Sequence, residues 1–189
     1  MSVNVVLNTK EGRFIVANLP YESRNLDAHT TNIHVINDQC VIGLTKRTYL
    51  SQQFIEQNRS LFDAHSHEVT PSWLMNTIII PFYMKHKKDD KSFELDFVAF
   101  IVTNDRIYHL TSFCSLIELN QFASHDYYEE LLHPYLPMLK TTHPLDVIAN
   151  VQKIYKETLK DCTGNYIVYD MTTKSYHVYQ KGAYHVYRT

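Results

Sequence analysis

Near the end of the chain the tetrapeptide Tyr-His-Val-Tyr occurs twice, as Tyr176–Tyr179 and as Tyr184–Tyr187, across Gln180-Lys181-Gly182-Ala183. Two runs of β-branched and aromatic residues separated by a short polar stretch with glycine read as a β-hairpin. A three-residue loop Gln180-Lys181-Gly182, with Gly182 taking the positive φ of a type I turn plus bulge, sets Tyr179 opposite Ala183 and His177 opposite His185. In that register Tyr176, Val178, Tyr184 and Val186 share one face. His177, Tyr179, His185 and Tyr187 share the other.

Upstream, Val3–Leu7 and Arg13–Leu19 are β-branched runs on either side of a polar stretch ending in Gly12, which predicts a first hairpin. Asn18–Thr30 is polar and reads as loop. Ile33, Val35 and Cys40–Leu44 predict strands joined at Asn37-Asp38. From Lys46 to Phe62 the apolar spacing becomes helical, through Leu50, Phe54 and Leu61. Thr77–Met84 reads as a buried strand and Phe93–Val102 as its hairpin partner, apolar on both faces and therefore central. Ile107–Phe113 follows as a third antiparallel strand. Ser115-Leu116-Ile117-Glu118 has the pattern of a capping box and predicts a short helix. Asp126-Tyr127-Tyr128-Glu129 predicts the start of another, ended by Pro134 and Pro137. The clearest helical stripe is Val147, Ile148, Val151, Ile154, Tyr155 and Leu159, with Pro144 at its first turn and Gly164 beyond its end. Tyr166–Tyr169 and the repeated hairpin close the chain. This order predicts one α+β domain over residues 1–189, with a mostly antiparallel sheet, two to four helices and a C-terminal β-hairpin. A two-lobed arrangement around a cleft is compatible with the same order.

At 189 residues the chain is long enough to bury roughly 70% of its unfolded surface without a covalent staple. Charged residues at 20% and hydrophobic ones at 44% give a globular balance rather than an extended disordered one. The net charge of −2 offers no basic surplus for phosphate. In the one dense basic cluster, Lys85-His86-Lys87-Lys88, the charge is largely cancelled by Asp89 and Asp90, and the run reads as a solvated hairpin tip; nucleic acid is disfavoured as a partner. The start of the sequence lacks the charged leader and apolar run of a signal peptide, and Ile78–Met84 is too short to span a bilayer. Cys40, Cys114 and Cys162 are widely spaced and odd in number, as in reduced thiols. Together these predict a cytosolic protein without a membrane segment. The abundance of Ile, Asn, Lys, Tyr and Phe points to AT-rich codons, hence an AT-rich microbe or one of its viruses.

Eleven histidines are the main chemical resource. Asp63-x-His65-x-His67-Glu68 is their densest cluster. On an extended segment His65 and His67 point to one side about 7 Å apart, close enough to share a transition metal, with Glu68 or Asp63 as a further ligand. A solvated loop after the first helix is the simpler reading, since neither His-Glu-x-x-His nor a paired Cys motif is present. Glu94 and Asp96 share a predicted strand face without a lysine at nuclease-like spacing. Four glycines leave no Walker loop, dinucleotide fingerprint or Gly-x-Ser-x-Gly elbow, so no cofactor is implied.

His29-Thr30-Thr31 and His109-Leu110-Thr111 resemble the paired His-x-Thr/Ser motifs of the two-histidine phosphodiesterases, which lie roughly eighty residues apart. That resemblance implies one histidine as general base and the other as general acid, with Thr31 and Thr111 binding phosphate oxygens. The aromatic terminus supports a different reading. Six of the fourteen tyrosines lie between Tyr166 and Tyr187. Tyrosine gives large amphipathic contact area at small entropic cost. If exposed, Tyr169, Tyr179 and Tyr187 with His177 and His185 form a surface for a protein partner or a small ligand; the alternative is a half-buried face under the Leu145–Lys160 helix. The absence of catalytic machinery favours a binding protein over an enzyme. A homodimer is one way to cover an aromatic sheet edge.

Overall fold

The repeated Tyr-His-Val-Tyr segments do form a hairpin, within a computed structural model that describes residues 2–19, 32–87, 92–124, 128–158 and 164–188. In chain order the strands are β1 (Ser2–Asn8), β2 (Arg13–Asn18), β3 (Ile33–Asn37), β4 (Cys40–Leu44), β5 (Ala99–Thr103), β6 (Ile107–Leu110), β7 (Leu116–Leu119), β8 (Phe122–Ser124), β9 (Tyr166–Asp170), β10 (Ser175–Gln180) and β11 (Ala183–Arg188). The helices are α1 (Tyr49–His65), α2 (Pro71–Trp73), α3 (Ile80–Lys87), α4 (Tyr128–Leu132) and α5 (Pro144–Thr158). A π-helical turn, Leu74–Ile79, joins α2 to α3, and a 3-10 segment, His133–Lys140, follows α4. The class is α+β with antiparallel pairing throughout two sheets. Contacts divide the chain into two units, Met1–Thr31 with Gln121–Thr189, and Asn32–Asn120.

The first unit carries a six-stranded sheet in the order β11-β10-β9-β2-β1-β8. The predicted β1–β2 hairpin is present, and at Gly12 (φ +145°) a Cβ would stand 2.1 Å from Thr172 Oγ1, so only glycine fits the turn. One sheet face places Val5, Leu7, Phe14, Val16, Tyr166 and Val168 in a core with Leu132, Leu139, Val147, Ile148 and Val151 of the helical segments. The predicted α5 stripe is thus the one that packs. The other face is equally apolar, with Val6, Ile15, Ala17, Ile167 and Val178 all buried. Pro134 and Pro137 do not stop the helical path after α4 but tighten it into 3-10 turns, in which proline's missing N–H matters less. Asp126, Tyr127, Leu159, Lys160 and Cys162 lie outside the described residues.

The second unit holds a five-stranded sheet, β3-β4-β5-β6-β7. Asn37 makes the predicted turn: its Oδ1 accepts from the backbone N–H groups of Gln39 (2.9 Å) and Cys40 (3.1 Å). Thr48 and Ser51 form a reciprocal capping box at the start of α1. Ile42, Leu44, Ala99, Ile101, Tyr108 and Leu110 pack on Phe54, Phe62, Leu74, Ile78 and Phe82. On the opposite face Val41, Phe100, Val102 and Ile107 are also buried, so β5 is central and apolar on both sides, as its sequence predicts.

Three expectations fail here. The segment Thr77–Met84 is helical rather than a strand, and Lys85–Lys87 belong to α3 rather than to a hairpin tip. Thr70 caps the N–H of Trp73, and Pro71 sits where a helix starts without loss. Leu74, Ile78, Ile79 and Phe82 are the buried residues, a helical spacing hidden within a β-branched run. Pro81 has no N–H to give, and the wide turn stands just ahead of it, with the N–H of Ile80 reaching back to Met75. Second, Leu116–Leu119 is strand β7, not a helix. The hydroxyls of Thr111 and Ser115 meet at 2.6 Å and Thr111 N–H donates to the Ser115 carbonyl, so Ser115 closes a turn. Glu118 pairs across the sheet with Arg106. Third, residues 92–98 are irregular, and Glu94 and Asp96 do not share a strand; Asp96 instead accepts the Thr48 hydroxyl at 2.8 Å. Lys88, Asp89, Asp90 and residues 20–31 lie outside the described residues. No helix among the described residues is long and apolar enough to cross a membrane.

Candidate functional site

The terminal hairpin turns on two residues, not three. Lys181 (φ 52°) and Gly182 (φ 79°) both take positive φ, the signature of a type I′ turn, whose twist matches that of its strands. Gln180 therefore faces Ala183, Tyr179 faces Tyr184, Val178 faces His185 and His177 faces Val186. Compared with the expected register every pair slips by one, and the two histidines fall on opposite faces. His177, Tyr179, Tyr184 and Val186 share one face, and Tyr176, Val178, His185 and Tyr187 the other.

On the first face the rings form a ladder across three strands. Tyr166 stacks on Tyr179 (4.3 Å between centroids), which meets Tyr184 (4.8 Å), which in turn lies parallel to His177. Tyr166 and Tyr179 belong to the α5 core, so part of the aromatic face is covered by that helix. Burial raises the Tyr179 hydroxyl to about 12, helped by Tyr184 and Asp146, so it stays protonated. Tyr169, expected on the surface, is 3% exposed and packs on Tyr176 at 4.7 Å.

A polar chain continues this ladder along the same face of β10. Thr173 Oγ1 lies 2.7 Å from Asp170 Oδ2 and 2.6 Å from Ser175 Oγ; Ser175 Oγ lies 3.2 Å from His177 Nε2; His177 Nδ1 lies 2.7 Å from the Tyr184 hydroxyl. The Thr173 hydroxyl donates to Asp170, and since each hydroxyl has one proton to give, this orders the rest of the chain for a neutral imidazole. Ser175 donates to Thr173, the Nε2–H of His177 to Ser175, and Tyr184 to Nδ1. Burial keeps the His177 imidazole neutral by lowering its pKa; Asp170 opposes this and His143 reinforces it. Ser175 is buried at 3% exposure and offers no open nucleophile. What the chain does is tether the outermost strand, through Tyr184, to a buried carboxylate.

That outermost strand is the most open element of the sheet. All six residues of β11 are exposed, and Tyr184, Val186 and Tyr187 keep 50%, 49% and 49% of their surface. Among the described strands β11 stands at the end of the order, paired with β10 alone. In a two-residue hairpin the closing pair exchanges hydrogen bonds and bonded pairs then alternate. Ala183, His185 and Tyr187 thus bond to β10, while the N–H and C=O of Tyr184, Val186 and Arg188 point outward.

Of the other predicted residues, His65, His67, Glu68, His109 and Thr111 belong to the second unit. His65 ends α1, and the chain turns there, Glu68 N–H donating to the His65 carbonyl at 2.8 Å, so the extended geometry assumed for His65 and His67 is absent. Glu68 takes one histidine on each oxygen: His65 Nδ1 at 3.2 Å and His67 Nε2 at 3.3 Å. Among the described residues no group of three or more His, Cys, Asp and Glu is placed to hold a metal ion. His67 lines a polar pocket of about 290 Å³ with Gln39, Asn104, Asp105 and Arg106, whose charge is engaged by Glu118. His109 lies on β6 with its ring 5.0 Å from Phe100, and Thr111 is held in the Ser115 turn. His29 and Thr31 lie outside the described residues. No protein-family model matches the chain, and neither does any curated protein.

Proposed function

We propose that the protein is a binding module that captures an extended protein segment along the outer edge of β11. The observation that carries this reading is a sheet-edge strand exposed along its whole length and bearing half-exposed Tyr184, Val186 and Tyr187. Natural edge strands are usually guarded by proline, inward charges or a covering element. β11 has no proline and no acidic residue, and Arg188 at its end is its only Lys or Arg. Main-chain bonds to Tyr184, Val186 and Arg188 would supply affinity, and the alternating side chains the specificity. The tether to Asp170 favours this role because a strand held in place before binding loses less entropy on binding. A cytosolic setting accords with Cys40 and Cys114, both free thiols raised by burial to about 12 and about 11.

Val186→Pro tests this directly. At an outward-facing position proline removes one edge donor without breaking a bond to β10. With a fluorescein-labelled peptide of alternating threonine and valine as probe, anisotropy should saturate on wild-type protein, and the variant should bind at least tenfold more weakly at an unchanged melting temperature. Equal binding by both would move recognition away from β11.

A further inference from the structure

We infer that the segment β11 captures is β11 of a second copy of this chain, in an antiparallel pairing centred on Val186. The inference rests on the edge-binding reading above and adds the identity of the partner.

The carrying observation is the self-complementarity of the outward-bonding residues. Antiparallel pairing of two copies about a two-fold axis perpendicular to the sheet requires opposed residues to share a face. Centring on Val186 sets Val186 against its own symmetry mate. Tyr184 then lies opposite Arg188 of the second copy, and His185 opposite its Tyr187. Each hetero-contact occurs twice. An arginine thus meets an aromatic face, valine meets valine, and no like charges are opposed. Centring on His185 instead would press two imidazoles together and place Arg188 against the turn residue Gly182, beyond the second strand. The Val186 register also joins Tyr184, Val186 and Arg188 of both copies by main-chain bonds, since these are the residues whose N–H and C=O face outward. Both six-stranded sheets would become one. The interface is small, so the dimer is expected to dissociate in the micromolar range.

The test is sedimentation equilibrium of the full chain across that range, with disulfide trapping. Wild type should dimerise with concentration, Val186→Pro should remain monomeric, and Arg188→Glu should weaken the dimer about tenfold. Val186→Cys should cross-link rapidly on mild oxidation, because a central bonded pair has Cα atoms about 5.5 Å apart, within disulfide reach. His185→Cys should not, its symmetry mates being roughly 8 Å apart in this register. Wild type serves as the blank for native thiols. A wild-type monomer that still binds the alternating peptide would overturn the second copy as partner while leaving the edge reading intact. A monomer that also ignores the peptide would overturn both. A dimer that persists in Val186→Pro, or that cross-links through His185→Cys alone, would overturn the proposed interface.

Discussion

Replacing Phe54 with alanine is expected to destabilise the protein by about 3–5 kcal/mol, the usual cost of emptying a phenylalanine site in a closed core. Phe54 is completely buried on α1, and its ring lies 5.2 Å from Phe82, 5.5 Å from Phe97 and 6.5 Å from Phe62. Those partners come from α3, from the segment ahead of β5 and from α1 itself, so truncation opens a hole that no single shift can fill. Against a typical total of roughly 5–15 kcal/mol such a loss is severe. The melting temperature should fall by about 10 °C. Phe54→Leu should cost far less, because most of the volume is kept. Urea unfolding of the two variants checks this; a loss below about 1 kcal/mol for Phe54→Ala would mean that the aromatic cluster is not a close-packed core.

Acidification should produce a loss of similar order through His34. This residue is half-buried on β3, and its imidazole is held down to about 4 by burial first, then by the guanidinium groups of Arg59 and Arg47. Arg59 is fixed nearby, donating to the Val35 carbonyl at 2.8 Å. The folded state thus binds the proton less readily than the unfolded chain, whose histidine titrates near 6.5. Stability from this group is fully present above pH 6.5 and is lost as the pH falls through about 4. A shift of this size corresponds to about 3 kcal/mol once fully expressed, of which about 2 is lost by pH 4.5. His177, also lowered, acts in the same direction. Comparing wild type with His34→Gln by urea unfolding at pH 7 and 4.5 isolates the residue from other groups. The variant should lose about 2 kcal/mol less on acidification; identical losses would contradict the assignment.

Much of the fold is legible in local chemistry. The α5 stripe, the Asn37 turn and the β1–β2 hairpin each follow from side chains acting within a few residues, and the structure shows each. The misreadings arise where the same local signal serves two structures. Ile78-Ile79-Ile80 has β-branched chemistry but helical burial, decided by the Thr70-Pro71 start. Ser115 and Glu118 have the spacing of a capping box, yet Thr111 and Arg106 take up their side chains from elsewhere in the sheet.

The site was legible only in part. The repeat identified the hairpin, but its register depended on whether Lys181 would adopt positive φ alongside Gly182, and that one residue decides which side chains share a face. The expected register set Tyr184 and Val186 on the face opposite Tyr187, yet all three are about half-exposed. The chain from Asp170 to Tyr184 was missed altogether. Its signal was the alternation of Ser175 and His177 on one strand face behind a turn that carries Asp170 and Thr173, which becomes meaningful only once Tyr184 is placed opposite Tyr179.

The central claim is that β11 offers an open hydrogen-bonding edge to another strand. Residue-resolved amide exchange, at a concentration where the protein is monomeric and with and without the alternating peptide, tests it most directly. In the free protein the amides of His185 and Tyr187 should exchange slowly and those of Tyr184, Val186 and Arg188 fast; on adding peptide the fast set should become protected. If Tyr184, Val186 and Arg188 are already protected in the free monomer, or stay fast when peptide is bound, β11 is not the recognition edge.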